Sequence, residues 1–183
     1  MSTVHWQNVT KRRKCNMMVK RDGTVADYIT QAFLLLLQKK SFHDIKINEL
    51  CEKAGVTRMS FYRNFDSKED VLRKWLRVIT DEWLAESGIS FKHNDSRTYF
   101  ILLFRHMGEY RDFCSRLYKD GMLHLVKDEY DRVFLSVYKG EYDEYKSYFL
   151  AGGIFNIFQR WLIGGCVETP EELADKLERI LEK

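Results

Sequence analysis

Seven consecutive residues, "RMSFYRN" from Arg58 to Asn64, gather side chains able to read the edge of a base pair. An arginine pairs bidentately with guanine, a serine hydroxyl donates or accepts, and a methionine meets a thymine methyl in the major groove. At about 100° per residue on a helix, Met59, Ser60 and Arg63 share one side, Phe61 and Phe65 take the other, and Tyr62 and Asn64 lie on the flanks. Tyr62 and Lys68 suit phosphate oxygens, and a helix N-terminus at Lys68 adds to that attraction. A short solvated surface helix would use the same residue types. What precedes and follows "RMSFYRN" therefore decides between the two readings.

Before it, Val25, Ile29, Ala32, Phe33, Leu36 and Leu37 recur at helical spacing behind Thr24 and Asp27, which are placed as a capping box. Ile45, Ile47, Leu50 and Ala54 supply the apolar side of a short second helix with Asn48 as its expected N-cap. Gly55 stands where a left-handed residue ends a helix, and Thr57 where the next one is capped. Two helices joined by about three residues have helix-turn-helix spacing. Ser67, with Asp70, then caps a fourth helix whose Leu72, Trp75, Leu76, Ile79 and Trp83 share one side.

Beyond Gly88 the spacing predicts helices at 96–107, 109–119, 121–139, 143–164 and 170–182, rich in Phe and Tyr. The expected fold is all-α. It comprises a basic arm over residues 1–20, a three-helix helix-turn-helix domain over 21–70 and a helical regulatory and dimerisation bundle over 71–183. A single proline and 45% hydrophobic residues favour such a helical globular chain over a disordered one.

Charge is uneven. Residues 1–70 hold 13 Lys+Arg against 8 Asp+Glu, a net +5, while residues 71–183 hold 17 against 19, a net −2. The first 21 residues carry six basic groups and no acid, with "KRRK" at Lys11 to Lys14. Such an arm can track phosphates or enter a minor groove, or simply aid solubility. Cys15, Cys51, Cys114 and Cys166 are dispersed, without metal-ligand or CxxC spacing, which fits a reducing cytoplasm. The apolar run Ser147 to Gln159 is broken by Arg160 and is shorter than the roughly 20 residues a membrane helix needs. "HMGE" at His106 to Glu109 and "DEYD" at Asp128 to Asp131 form no paired catalytic or metal motif, so no enzyme, metal or cofactor is expected.

Phe42 to Leu72, "FHDIKINELCEKAGVTRMSFYRNFDSKEDVL", resembles the DNA-binding domain of the TetR family of bacterial regulators. Ile45, Ile47, Leu50, Ala54, Gly55, Val56, Phe61, Tyr62, Phe65, Lys68 and Leu72 carry the resemblance. Lys46 departs from the usual threonine and Asn64 from the common histidine. The resemblance implies a homodimer that sets its third helices into successive major grooves of a palindromic operator. On this reading the DNA-facing set is Lys46, Asn48, Thr57, Arg58, Met59, Ser60, Tyr62, Arg63, Asn64 and Lys68.

Tyr148 to Leu177 is similar to the C-terminal segment of a subgroup that includes regulators of dihydroxyacetone kinase operons. The resemblance implies dimerisation through the last two long helices, with Phe149, Gly152, Gly153, Ile154, Phe158, Trp161 and Leu162 as candidates. Glycine costs about 1 kcal/mol inside a helix, and close helix approach is a reason for keeping it. An effector pocket would draw on Phe100, Phe104, His106, Tyr110, Cys114, Tyr118, Phe134 and Tyr138, although aromatic residues at helical spacing also make ordinary core. The expected protein is a cytoplasmic dimeric regulator, a repressor released by a small ligand. The alternative is a regulator or activator controlled by a partner protein.

Overall fold

A computed structural model describes residues 23–87, 96–137, 139 and 143–181. Helices in chain order are α1 Val25–Leu37, α2 Ile47–Ala54, α3 Arg58–Asn64, α4 Lys68–Ser87, α5 Ser96–Glu109, α6 Arg111–Lys119, α7 Leu123–Val137, α8 Glu144–Ile163 and α9 Pro170–Leu181. A 3-10 turn, Phe42–Asp44, sits between α1 and α2. The all-α expectation is met. The chain divides into one compact unit ending at Trp75 and a second beginning at Leu76, a division inside α4.

The first unit is built on local signals. Thr24 and Asp27 form a reciprocal capping box that starts α1. α1 buries Ile29, Ala32, Phe33, Leu34, Leu36 and Leu37, whereas Val25 is exposed, because it lies in the first turn ahead of the packed stripe. α2 begins one residue earlier than its expected cap. Lys46 occupies the N-cap without a side-chain bond, so Asn48 is not the cap but an exposed residue of the first turn. α2 ends at Gly55, φ 68°, where the Val56 N–H reaches the Cys51 carbonyl at 3.0 Å and the Gly55 N–H the Glu52 carbonyl at 3.1 Å. This is the Schellman arrangement, and its left-handed residue favours glycine. The Thr57 hydroxyl then accepts the Ser60 N–H at 3.1 Å and starts α3. Ser67 accepts the Asp70 N–H at 3.2 Å and starts α4.

In the second unit α9 packs on α5, and α8 packs on α7 and α6. Arg97 with Asp175 and Arg105 with Glu171, each at 2.8 Å, tie α5 to α9 along their solvent edge. Thr169 and Glu172 make a second capping box ahead of α9, with Pro170 as its first helical residue, where its missing N–H costs nothing. Gly108 seats Trp161: a Cβ there would lie 3.0 Å from the indole ring. The glycine of "HMGE" is thus a packing seat. Among the described residues no His, Cys, Asp and Glu cluster could hold a metal, and no helix is long and apolar enough to cross a membrane.

Candidate functional site

α3 is two turns long and is held from one side. Phe61 and Phe65 are buried, their rings 6.0 Å apart, while α1 and α2 pack against α3. That anchorage turns the remaining residues outward. Arg58, Met59, Tyr62 and Arg63 are exposed, Met59 at 66% of its full surface. The Arg63 guanidinium donates to the Met59 sulfur at 3.5 Å, and the Arg58 guanidinium lies 6.0 Å from the Tyr62 ring centre. Two guanidiniums are therefore displayed over neighbouring apolar groups.

The remaining α3 polar groups help to close the helix. The Ser60 and Thr57 hydroxyls lie 3.0 Å apart, and the Asn64 amide donates to the Ser60 carbonyl at 2.7 Å. Lys46 and Asn48 are exposed at the start of α2, so this helix presents a cation and an amide near its N-terminus. Lys40 grips both carboxylate oxygens of Glu49, at 2.7 and 2.8 Å, tying the end of α1 to α2. The same hydrogen bond holds the Glu49 carboxyl below its ordinary value of 4.5. The contribution of this tie is present above that pH and is lost as pH falls through the lowered value.

Lys68 requires a correction. Its ammonium donates to the Phe42, His43 and Ile45 carbonyls at 2.8, 3.3 and 3.1 Å and lies 4.6 Å from the Phe42 ring centre. All three N–H donors of the group are engaged inside the domain. Lys68 is a clamp between the start of α4 and the turn before α2, not a phosphate ligand.

The second unit holds a cavity of about 80 Å³ between α4, α5, α6, α7 and α8. Of the residues proposed for an effector pocket, His106, Tyr110, Cys114 and Phe134 line it. Phe100 and Phe104 are buried in the core beside it without lining it, Tyr118 is exposed, and Tyr138 lies outside the described residues. The expectation lacked the α4 wall, including Trp83, and Tyr130. Trp83 stacks on His106 at 4.3 Å with 15° between planes. Burial, and secondarily the Cys166 thiol, push Cys114 up to about 12, so it is a packed thiol and a poor nucleophile. Arg132 donates to Glu129 from Nε at 2.9 Å and to Asp81 at 2.7 Å.

α8 separates its apolar residues onto two sides. Ile154, Phe158, Trp161 and Leu162 are buried within the chain's own core, so their assignment to a dimer interface is corrected. Phe158 lines the cavity, and Trp161 Nε1 donates to the Glu168 carbonyl at 3.0 Å. Tyr145, Tyr148, Phe149 and Ile163 are exposed instead, Phe149 at 77%, and Val167 just beyond the helix at 82%. Gly152 and Gly153 lie in the same helix, and a Cβ at either would meet nothing within 4 Å. Among the described residues, no close neighbour in the chain requires their lack of side chains.

The family description "Bacterial regulatory proteins, tetR family" matches residues 29–74, and "Transcriptional regulator C-terminal region" matches residues 94–183. An uncharacterized HTH-type transcriptional regulator, YdgC of Bacillus subtilis (strain 168), is 25% identical over 162 residues, covering 78% of this chain and 83% of the relative. The HTH-type dhaKLM operon transcriptional activator DhaS of Lactococcus lactis subsp. lactis (strain IL1403) is 24% identical over 106 residues, 55% of this chain and 52% of the relative. Two solved structures share the fold. A dihydroxyacetone kinase operon activator, DhaS, has TM-score 0.55 and 19% identity, covering 86% of this chain and 93% of its own. The fatty acid degradation regulator FadR from Bacillus halodurans has TM-score 0.52 and 14% identity, covering 88% and 96%.

Proposed function

The chain belongs to the TetR family of bacterial transcriptional regulators, and on that footing we propose a homodimer that grips a palindromic duplex operator through α3 and represses transcription until a small molecule enters the cavity. The observation that carries the DNA reading is the two-turn α3, anchored by Phe61 and displaying Arg58, Met59, Tyr62 and Arg63. Arg58 and Arg63 are the guanine readers, Met59 offers an apolar contact to a thymine methyl, and Tyr62, Lys46 and Asn48 face phosphates. Both α3 helices must sit about one helical turn of DNA apart, ~34–36 Å, to dock together.

The exposed α8 side supports the dimer. Tyr145, Phe149 and Ile163 offer apolar area, and Gly152 and Gly153 let a second helix approach closely. α4 carries Lys68 at its start and lines the cavity further along, so one helix serves both the DNA-binding unit and the effector. A cytoplasmic location goes with this reading, and no catalytic role is proposed. Relatives named as activators of an operon favour a second reading, activation by the same DNA-bound dimer.

Selection of bound sequences from a random duplex library at near-physiological salt tests the proposal. A palindromic consensus is expected for the wild-type chain. Arg58→Ala and Tyr62→Ala are each expected to weaken operator binding and leave the oligomeric state unchanged. Sequence-independent, salt-sensitive binding alone would remove α3 as the reading element.

A further inference from the structure

We propose that the cavity takes a small, uncharged, mostly apolar molecule of about single-ring size carrying one hydrogen-bond acceptor for the Tyr130 hydroxyl. The inference rests on the effector reading of the cavity above and names the chemistry of its ligand.

Size comes first. The cavity, about 80 Å³, is several times the ~10–15 Å³ that one water requires and well below the ~300–1,000 Å³ of pockets for drug-sized ligands. A single ring or short chain fits that range, and a nucleotide or an acyl chain does not. Its walls are apolar: Leu103, Phe113, Val133 and Phe158 are buried there, with Trp83 and Ile79 nearer the surface.

Charge comes next. No lysine or arginine lines the cavity among the described residues, and its one acidic residue is Glu129. Glu129 is held by Arg132 and by Arg77, at 3.7 Å, neither of which lines the cavity. An anion would meet the Glu129 carboxylate, whose two arginines stand outside the cavity wall, and a cation would compete with those arginines for it. A neutral ligand meets neither difficulty.

Polarity completes the description. Tyr130 is 8% exposed, and its hydroxyl has no hydrogen-bond partner among the described residues. A buried hydroxyl is costly when unpaired, so such groups in native proteins nearly always have a partner. Burial raises the Tyr130 pKa well above its ordinary value, which keeps the group an O–H donor. Its ring packs against Phe134 and Phe155, with centroids 5.8 and 5.6 Å away, and Tyr130 forms part of the cavity wall. The acceptor of a ligand would supply what the protein leaves out.

Matched probes test this with the full-length protein. Cyclohexanone and methylenecyclohexane share shape and differ in the acceptor, and cyclohexanecarboxylate adds a charge. Titration followed by NMR is expected to show saturable binding of both neutral probes and none of the carboxylate. Tyr130→Phe is expected to weaken cyclohexanone roughly two- to tenfold, the loss of one net hydrogen bond, and to leave methylenecyclohexane unchanged. Because the hydroxyl lacks a partner among the described residues, the melting temperature of Tyr130→Phe should equal or exceed that of wild type. A lower one would mean that the hydroxyl is already paired and would overturn the proposal. So would absence of saturable neutral-probe binding, an equal effect of Tyr130→Phe on both probes, or preference for the carboxylate. Operator titrations separate the two levels: probe binding as expected with unchanged operator affinity defeats release by ligand and leaves the ligand class standing. Intact operator binding without probe binding defeats the ligand class alone.

Discussion

Lys68 shows how one residue can be assigned to the wrong partner by spacing alone. At the start of a helix after a helix-turn-helix it suits a phosphate, and the resemblance carries that expectation. Its three acceptors, however, belong to Phe42, His43 and Ile45, more than twenty residues earlier, and no local pattern announces them. Gly55 and Thr57 were legible because their chemistry is local: a left-handed C-terminal residue and a hydroxyl that caps the next helix. Replacing Lys68 with methionine keeps the stem and removes the donors. Lys68→Met is expected to destabilise the DNA-binding unit by roughly 1.5–3 kcal/mol, the range for a hydrogen bond to a charged group, measured by denaturant unfolding. At temperatures where the variant stays folded, the slope of log Kobs against log[salt] should match wild type. A slope shallower by about 0.9 would return Lys68 to the phosphate-contacting set.

At the scale of elements, helix positions were readable from periodicity because apolar residues recur every three or four along each segment. Expected spans of 143–164 and 170–182 compare with Glu144–Ile163 and Pro170–Leu181. Which side of α8 turns inward was not readable, because the helix is apolar nearly all round. Phe149 and Phe158 look alike in a list of residues, yet one is 77% exposed and the other fully buried. Only packing against α7 and α6 distinguishes them. The cavity was partly legible for the same reason. His106, Cys114 and Phe134 come from helices whose apolar periods were visible, whereas the α4 wall depends on how that helix meets them. Phe149→Glu puts a charge on the exposed side and changes nothing in the core. It is expected to shift the dimer to monomer by sedimentation at micromolar protein while preserving helicity by circular dichroism. Operator binding should weaken with it, since two linked α3 helices bind far more tightly than one. A dimer that withstands Phe149→Glu would move the interface off this side of α8.

For the whole molecule, fold and family were legible because the TetR-like residues of the first unit are mainly a scaffold of buried positions and turns that few other arrangements require. The operator is not legible in the same way, since base preference depends on how α3 seats in a groove. Charge, by contrast, is directly readable. Residues 1–70 carry net +5 and residues 71–183 net −2, which concentrates attraction for a polyanion at the DNA-binding end. Five of the basic residues, Lys11, Arg12, Arg13, Lys14 and Lys20, fall within the first 20 positions. If they neutralise phosphates, each contact releases counterions and steepens the salt dependence by about 0.9 per phosphate. Removing residues 1–20 is therefore expected to lower operator affinity most at low salt and to flatten the slope by at least one contact's worth. The consensus selected from a random library should stay the same, because sequence is read by α3 and not by the arm. An unchanged slope in the shortened chain would assign the arm to solubility. A changed consensus would instead give it a part in reading an adjacent minor groove.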